Sequence, residues 1–142
     1  FTGLAGYLDK VKAETARSGY TETLFGRRRY FEGIKSKLPF IKAAAERMAI
    51  NAPIQGTQAD LIKIAMIKIN DYLEKNNLLD DARMLLQVHD ELIFEIKSGK
   101  VKELSEEIKK IMESILTSDQ TKNIPIIANA AAGDSWGDMK GL

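Results

Sequence analysis

"LLQVHDELIFEI", residues 85–96, decides how this chain folds. Two apolar, strand-forming halves flank His89, Asp90 and Glu91, and the only histidine of the chain lies in that polar insert. The pattern predicts a hairpin with strands over 83–88 and 92–97, folding back near Asp90. At such a bend Asp90 and Glu91 present two hard oxygen donors at one exposed point. Mg²⁺ takes one or two carboxylates together with substrate phosphates, so the pair can form half of a metal site. The plainer alternative is a charged turn with His89 as a polar strand end.

Outward from the hairpin, helical spacing dominates. Residues 101–116 carry Val101, Leu104, Ile108, Ile111 and Ile115 on one face, with Glu106 and Lys110 as an outer i,i+4 pair. Upstream, Leu61, Ile62, Ala65, Met66, Ile69 and Leu73 give a helix over 54–75, which Asn76 and Asn77 terminate. "PFIKAAAERMAI" begins another helix at Pro39. Pro53 lacks an N–H and biases Ala52 away from helical geometry, so a break or kink is predicted at Asn51–Pro53. Near the start, residues 3–18 form a helix with Leu4, Leu8, Val11 and Thr15 on one face, ended by Gly19. "YTETLFGRRRYF" then alternates around Gly26 as a short basic hairpin. "PIIANAAA", 125–132, reads as a further strand of small residues. The fold class is α+β: helices packed on one face of a small antiparallel sheet.

Composition narrows the chemistry. The 142 residues include no cysteine, which excludes disulfides, thiolate zinc sites and cysteine nucleophiles and fits a reducing cytoplasm. No apolar run reaches the roughly 18 residues of a membrane span. The net charge of +1 conceals a basic front, with ten Lys/Arg against five Asp/Glu over 1–47, and an acidic remainder. That asymmetry suits a polyanion held at one end, or simply an uneven solvated surface. There is no phosphate-binding glycine loop, no HExxH helix and no nucleophile elbow. Asp134 and Asp138 read as solvated turn residues. The chain opens at Phe1 inside an amphipathic pattern already under way, as a segment of something longer would.

Two further groups stand out. Arg47, Asn51 and Gln55 recur every four residues and form a stripe of hydrogen-bond donors if the helix survives Pro53. Minor-groove acceptors recur at every base pair, so such donors can sense pairing without reading sequence. The competing reading makes Asn51 a cap at a kinked junction. The three arginines of "GRRRY" can clamp phosphates or lie free in solvent.

"GYTETLFGRRRYF", "AAAERMAINAPIQGTQADLIKIAM" and "LLQVHDELIFE", in this order and spacing, resemble the C-terminal part of family A DNA polymerases of the bacterial DNA polymerase I type. The resemblance runs down to the terminal "GDSW". It implies a polymerase that adds deoxynucleotides to a primer 3′ end with two Mg²⁺ ions. Residues 1–38 would then be the last part of the fingers and 39–142 a portion of the palm. By the same resemblance Asp90 is the metal-binding catalytic aspartate of the second acidic motif, with Glu91 beside it. His89 would lie near the primer terminus, Arg47, Asn51 and Gln55 would contact primer–template DNA, and Arg29 would approach the DNA from the fingers side. The family's other catalytic aspartate and its dNTP-gripping helix match nothing in this sequence, which implies an isolated chain without polymerase activity. A missing strand would leave a sheet edge open to self-association. The alternatives are a non-catalytic nucleic-acid-binding module of the same ancestry and, further off, a small metal-dependent hydrolase.

Overall fold

The computed structural model describes residues 2–142, and these form two compact units, residues 2–60 and 61–142. The first begins with helix α1 (Thr2–Ser18), which buries Val11 and Thr15. Thr15 hides its hydroxyl by donating to the Val11 carbonyl at 2.7 Å, so a buried polar group stays satisfied. Gly19, at φ +83°, takes the left-handed conformation that stops the helix. The basic hairpin follows: β1 (Tyr20–Glu22) and β2 (Arg28–Tyr30) pair with Tyr20 opposite Tyr30 and Glu22 opposite Arg28. Gly26 supplies the positive φ of its loop.

Helix α2 spans Pro39–Lys75 without interruption, with Pro53 inside it. The predicted break at Asn51–Pro53 is therefore absent. Burial explains the difference. Ala45, Ala49 and Ala52 share a dry cluster with Phe31 and Ile34, and Ala49 is wholly inaccessible to solvent. Leaving the helix at Pro53 would strip that cluster of its last alanine, against a cost of about 3 kcal/mol for an interior proline. The helix ends where the sequence indicated. Asn77 turns left-handed at φ +56°, the Leu78 amide returns to the Leu73 carbonyl at 2.8 Å, and the Asn77 amide returns to that of Glu74. These two bonds form a Schellman stop.

In the second unit β3 (Ala82–Val88) and β4 (Glu91–Ile96) form the expected hairpin, with a register shift between Met84 and Leu86. Its inner face packs with the remainder of α2 and with α3 (Val101–Glu113) around Ala65, Ile69, Leu73, Ala82, Leu104 and Ile108. On α3, Lys110 pairs with Glu107 at 2.6 Å and not with Glu106, because i,i+3 partners are also neighbours on a helix. The short α4 (Ser118–Thr121) starts from a capping box between Thr117 and Gln120.

Residues 125–132 do not form a full strand. Only β5 (Ala131–Ala132) pairs, with β6 (Lys140–Gly141), so the strands make three separate two-stranded antiparallel sheets. Residues 126–132 still alternate between sheltered and exposed, as a strand does, but among the described residues the pairing extends back only to Ala130, whose carbonyl accepts from the Leu142 amide at 3.0 Å. The Glu113 carboxylate anchors this segment by accepting from the Ala128 amide at 3.0 Å. The fold is α+β, helices with small antiparallel sheets. Among the described residues no helix is long and apolar enough to cross a membrane.

Because the proline costs helix stability and contributes no contact that alanine lacks in the alanine cluster, Pro53→Ala should raise the unfolding free energy by roughly 1–3 kcal/mol. Urea unfolding of the two chains checks this; an unchanged or lower midpoint would contradict the account of α2.

Candidate nucleic-acid interface and acidic turn

α2 settles the direction of its polar stripe. With the helix unbroken, Arg47, Asn51 and Gln55 lie on one face and all three are exposed. None of the three side chains has a hydrogen bond or ion pair within the chain among the described residues. Asn51 is therefore not spent as a cap at a kinked junction. The stripe is a row of exposed donors on one continuous helix, backed by the buried Ala45, Ala49 and Ala52.

The basic hairpin sorts its arginines, which look alike in sequence. Arg27 is consumed inward: Nε donates to Asp60 Oδ1 at 2.8 Å and Nη2 donates to the Gly56 carbonyl at 3.0 Å. Arg28 donates from Nε to Glu22 Oε2 at 2.7 Å, and its guanidinium sits 4.5 Å from the centre of the Tyr20 ring. The bond to Glu22, with the Tyr20 hydroxyl adding to it, holds Arg28 even above its usual range, so it stays a cation. Arg29 alone has no carboxylate partner among the described residues; it lies 5.4 Å over Phe31 and remains exposed. All three line a hollow of about 70 Å³ together with Thr21, Thr23, Ala52 and Gly56, so Arg29 borders the same stretch of α2 that carries Asn51 and Gln55.

Sequence reasoning passed over the residues that join hairpin and helix. Thr57 accepts from the Leu24 amide at 3.0 Å, and a Cβ at Gly56 would stand 2.6 Å from Thr23 Cγ2. Glycine is required there by the close approach of the loop. The available signal was the run Gly56, Thr57, Asp60, small and polar residues at one-turn spacing on α2.

At the tip of β3–β4, His89 and Asp90 are the two loop residues, and Glu91 opens β4 opposite Val88. His89 takes φ +51°, a left-handed position that histidine accepts more readily than most residues. Gln87 stabilises the bend by donating from Nε2 to the His89 carbonyl at 2.9 Å. His89, Asp90 and Glu91 are all exposed. No group of three or more His, Cys, Asp or Glu side chains assembles here or elsewhere among the described residues. Two adjacent carboxylates with water on every side suit Mg²⁺ as a partial ligand set, to be completed by phosphate oxygens and water. Asp134 and Asp138 are exposed, and Asp138 is occupied by Ser135, whose hydroxyl donates to it at 2.7 Å.

The comparisons with known proteins agree with this geometry. The family model for DNA polymerase family A matches residues 1–138, so the chain belongs to that family. It is 41% identical over 136 residues to DNA polymerase I of Pseudomonas aeruginosa, covering 96% of this chain and 14% of that protein. Against the thermostable DNA polymerase I of Thermus aquaticus the identity is 39% over 136 residues, 96% of this chain and 15% of the other. A solved structure of the POL domain of Pol1 from M. smegmatis, in complex with DNA primer-template and dNTP, superposes with a TM-score of 0.80 at 40% identity. That match covers 88% of this chain and 21% of the solved one. The chain thus spans about a seventh of these curated relatives.

The acidic hairpin is tied at its base as well as its tip. Lys97 Nζ donates to Asp81 Oδ1 at 2.7 Å, and this bond holds the Asp81 carboxyl below, and the Lys97 amine above, its ordinary range. The carboxyl is depressed by folding, so its contribution is complete above the ordinary carboxylate range and is lost as pH falls through the lowered value. Asp81→Asn should therefore lower the urea midpoint at neutral pH by a small amount and flatten its decline in acid. Parallel declines for the two chains would contradict this.

Proposed function

We propose that this chain is the terminal fingers segment (residues 1–38) and a portion of the palm (39–142) of a DNA-directed DNA polymerase, a cytoplasmic enzyme that extends a primer 3′ end with dNTPs. The observation that carries the reading is the stripe of Arg47, Asn51 and Gln55, three exposed donors without partners in the chain, on a helix made continuous by buried alanines. Donors in that row can follow the purine N3 and pyrimidine O2 acceptors of the minor groove, which are present at every correct pair. Arg29, the arginine left without a carboxylate, adds a phosphate contact. His89 stands near the primer terminus in this reading. The match to a POL domain solved with primer-template and dNTP supports it.

Asp90 and Glu91 would hold Mg²⁺ and serve the catalytic site. Two such ions, when bound, supply activation of the primer 3′-hydroxyl and neutralisation of the triphosphate and its pyrophosphate leaving group. The protein's own part is to present both carboxylates, exposed and adjacent, where a two-residue turn held by Gln87 runs into β4. A complete two-ion site needs carboxylates from more than this one turn. The isolated 142-residue chain is therefore proposed to be inactive.

The reading is tested by fluorescence anisotropy with labelled DNA. The chain should prefer a primer–template junction to blunt duplex, and Asn51→Ala with Gln55→Ala should erase that preference. Binding that depends on Arg29 but ignores the 3′ end would instead favour a plain nucleic-acid-binding module. In Mg²⁺ the wild-type chain should extend no primer; extension that Asp90→Ala abolishes would overturn the proposed inactivity.

Self-association belongs to the same proposal. Among the described residues β3 pairs only with β4, which leaves its other edge open, and Leu85 and Leu86 on β3 are each more than half exposed. Sedimentation should show a concentration-dependent dimer, and a clean monomer at high concentration would count against it.

A further inference from the structure

We infer that Arg27 is a positioning residue, half of a latch with Asp60 that fixes the basic hairpin on α2 and so brings Arg29 and the Asn51–Gln55 face to bear on one stretch of duplex. The inference rests on the DNA-binding reading above and extends it to residues that touch no DNA.

Four contacts make the latch. The forked Arg27 guanidinium reaches two acceptors one turn apart on α2, the Asp60 carboxylate at 2.8 Å and the Gly56 carbonyl at 3.0 Å. A guanidinium suits this role because its donors lie in one rigid plane, which a lysine cannot reproduce. The Asp60 side chain is only 12% exposed, so this pair is better shielded than the other ion pairs of the chain among the described residues. On the other side of the loop, the Leu24 amide donates to Thr57 Oγ1. Between them Thr23 packs against Gly56 so closely that a Cβ would collide with it. Thr23 also orders the loop itself, its hydroxyl accepting from the Phe25 and Arg27 amides.

β1 and β2 pair over only three residues each, and a two-stranded ribbon of that length has little stability alone. Phe31, next after β2, anchors the base of the ribbon in the alanine cluster, and the latch fixes its loop end on α2. Because Arg27, Arg28 and Arg29 line one hollow with Ala52 and Gly56, a swing of the ribbon displaces Arg29 from the helix face that carries Asn51 and Gln55. Two of the three Arg27 guanidinium nitrogens, Nε and Nη2, are committed to α2.

The chain offers a direct way to separate positioning from charge. A Cβ at position 56 lies 4.0 Å from Thr23 Cβ, inside the range of about 3.5–4.5 Å that a disulfide spans. No native cysteine competes. The test compares four chains for affinity to a primer–template duplex, with circular dichroism to verify folding. These are wild type, Arg27→Ala, Asn51→Ala with Gln55→Ala, and a triple variant Arg27→Ala, Thr23→Cys, Gly56→Cys. Arg27→Ala should bind on the order of tenfold more weakly, as misplacement of remote groups commonly costs. The oxidised triple variant, latched covalently and still lacking the arginine, should regain wild-type affinity within about twofold and lose it again in dithiothreitol. Equal weakness of the oxidised and reduced forms would mean that Arg27 acts by its own charge, and wild-type affinity of Arg27→Ala would mean that the latch positions nothing; either overturns the inference. If Asn51→Ala with Gln55→Ala leaves affinity and junction preference unchanged, the DNA-binding reading itself falls, whatever Arg27 does.

Discussion

Everything proposed for this chain depends on α2 remaining helical through Pro53. A proline in a helix interior removes one ladder bond and crowds the preceding turn, so the helix persists there only if leaving it would cost more. The buried contact of Ala45, Ala49 and Ala52 with Phe31 and Ile34 provides that resistance. Small side chains permit the close approach, and the same spacing that buries the alanines turns Arg47, Asn51 and Gln55 outward. Core and interface are thus two faces of one constraint. A break at Asn51 would have dispersed the donors and made Asn51 a cap.

Arginine pairing is the second determinant. The basic hairpin carries three cations in a row, but carboxylates on α2 and β1 consume two of them. What remains for an anion is Arg29, stacked over Phe31. The arrangement separates holding from binding: Arg27 fixes the ribbon, Arg28 closes it across the strands, and Arg29 faces solvent. Surface ion pairs ordinarily contribute little to stability. Here the geometry they impose carries more consequence than their energy.

Much of this was legible in the sequence because the signals were local. The period of Leu104 and Ile108, the positive-φ glycines 19 and 26, the Asn77 stop and the bend at Asp90 each follow from a few neighbouring residues. The departures came from tertiary effects. Pro53 reads as a breaker until the alanine cluster behind it is known. Residues 126–129 have strand-like alternation, but a strand exists only with a partner, and no strand pairs with them among the described residues. The distinction among Arg27, Arg28 and Arg29 depends on Asp60, 33 residues from Arg27 in sequence, which no local pattern could reveal. For the acidic turn, the sequence located Asp90 correctly on the bend, with Glu91 opening β4 beside it, while the proposal that they bind metal rests on family membership and on the chemistry of exposed carboxylates.

The central proposal is that the α2 stripe and the acidic turn, each on its own unit, both respond to a primer end. The most direct measurement is a side-chain NMR titration of the chain with a primer–template duplex, following the amide groups of Asn51 and Gln55 and the imidazole of His89. Perturbation of all three by the junction, and much weaker perturbation by a blunt duplex of equal length, is the result predicted. Shifts confined to the basic hairpin, and equal for both duplexes, would contradict it.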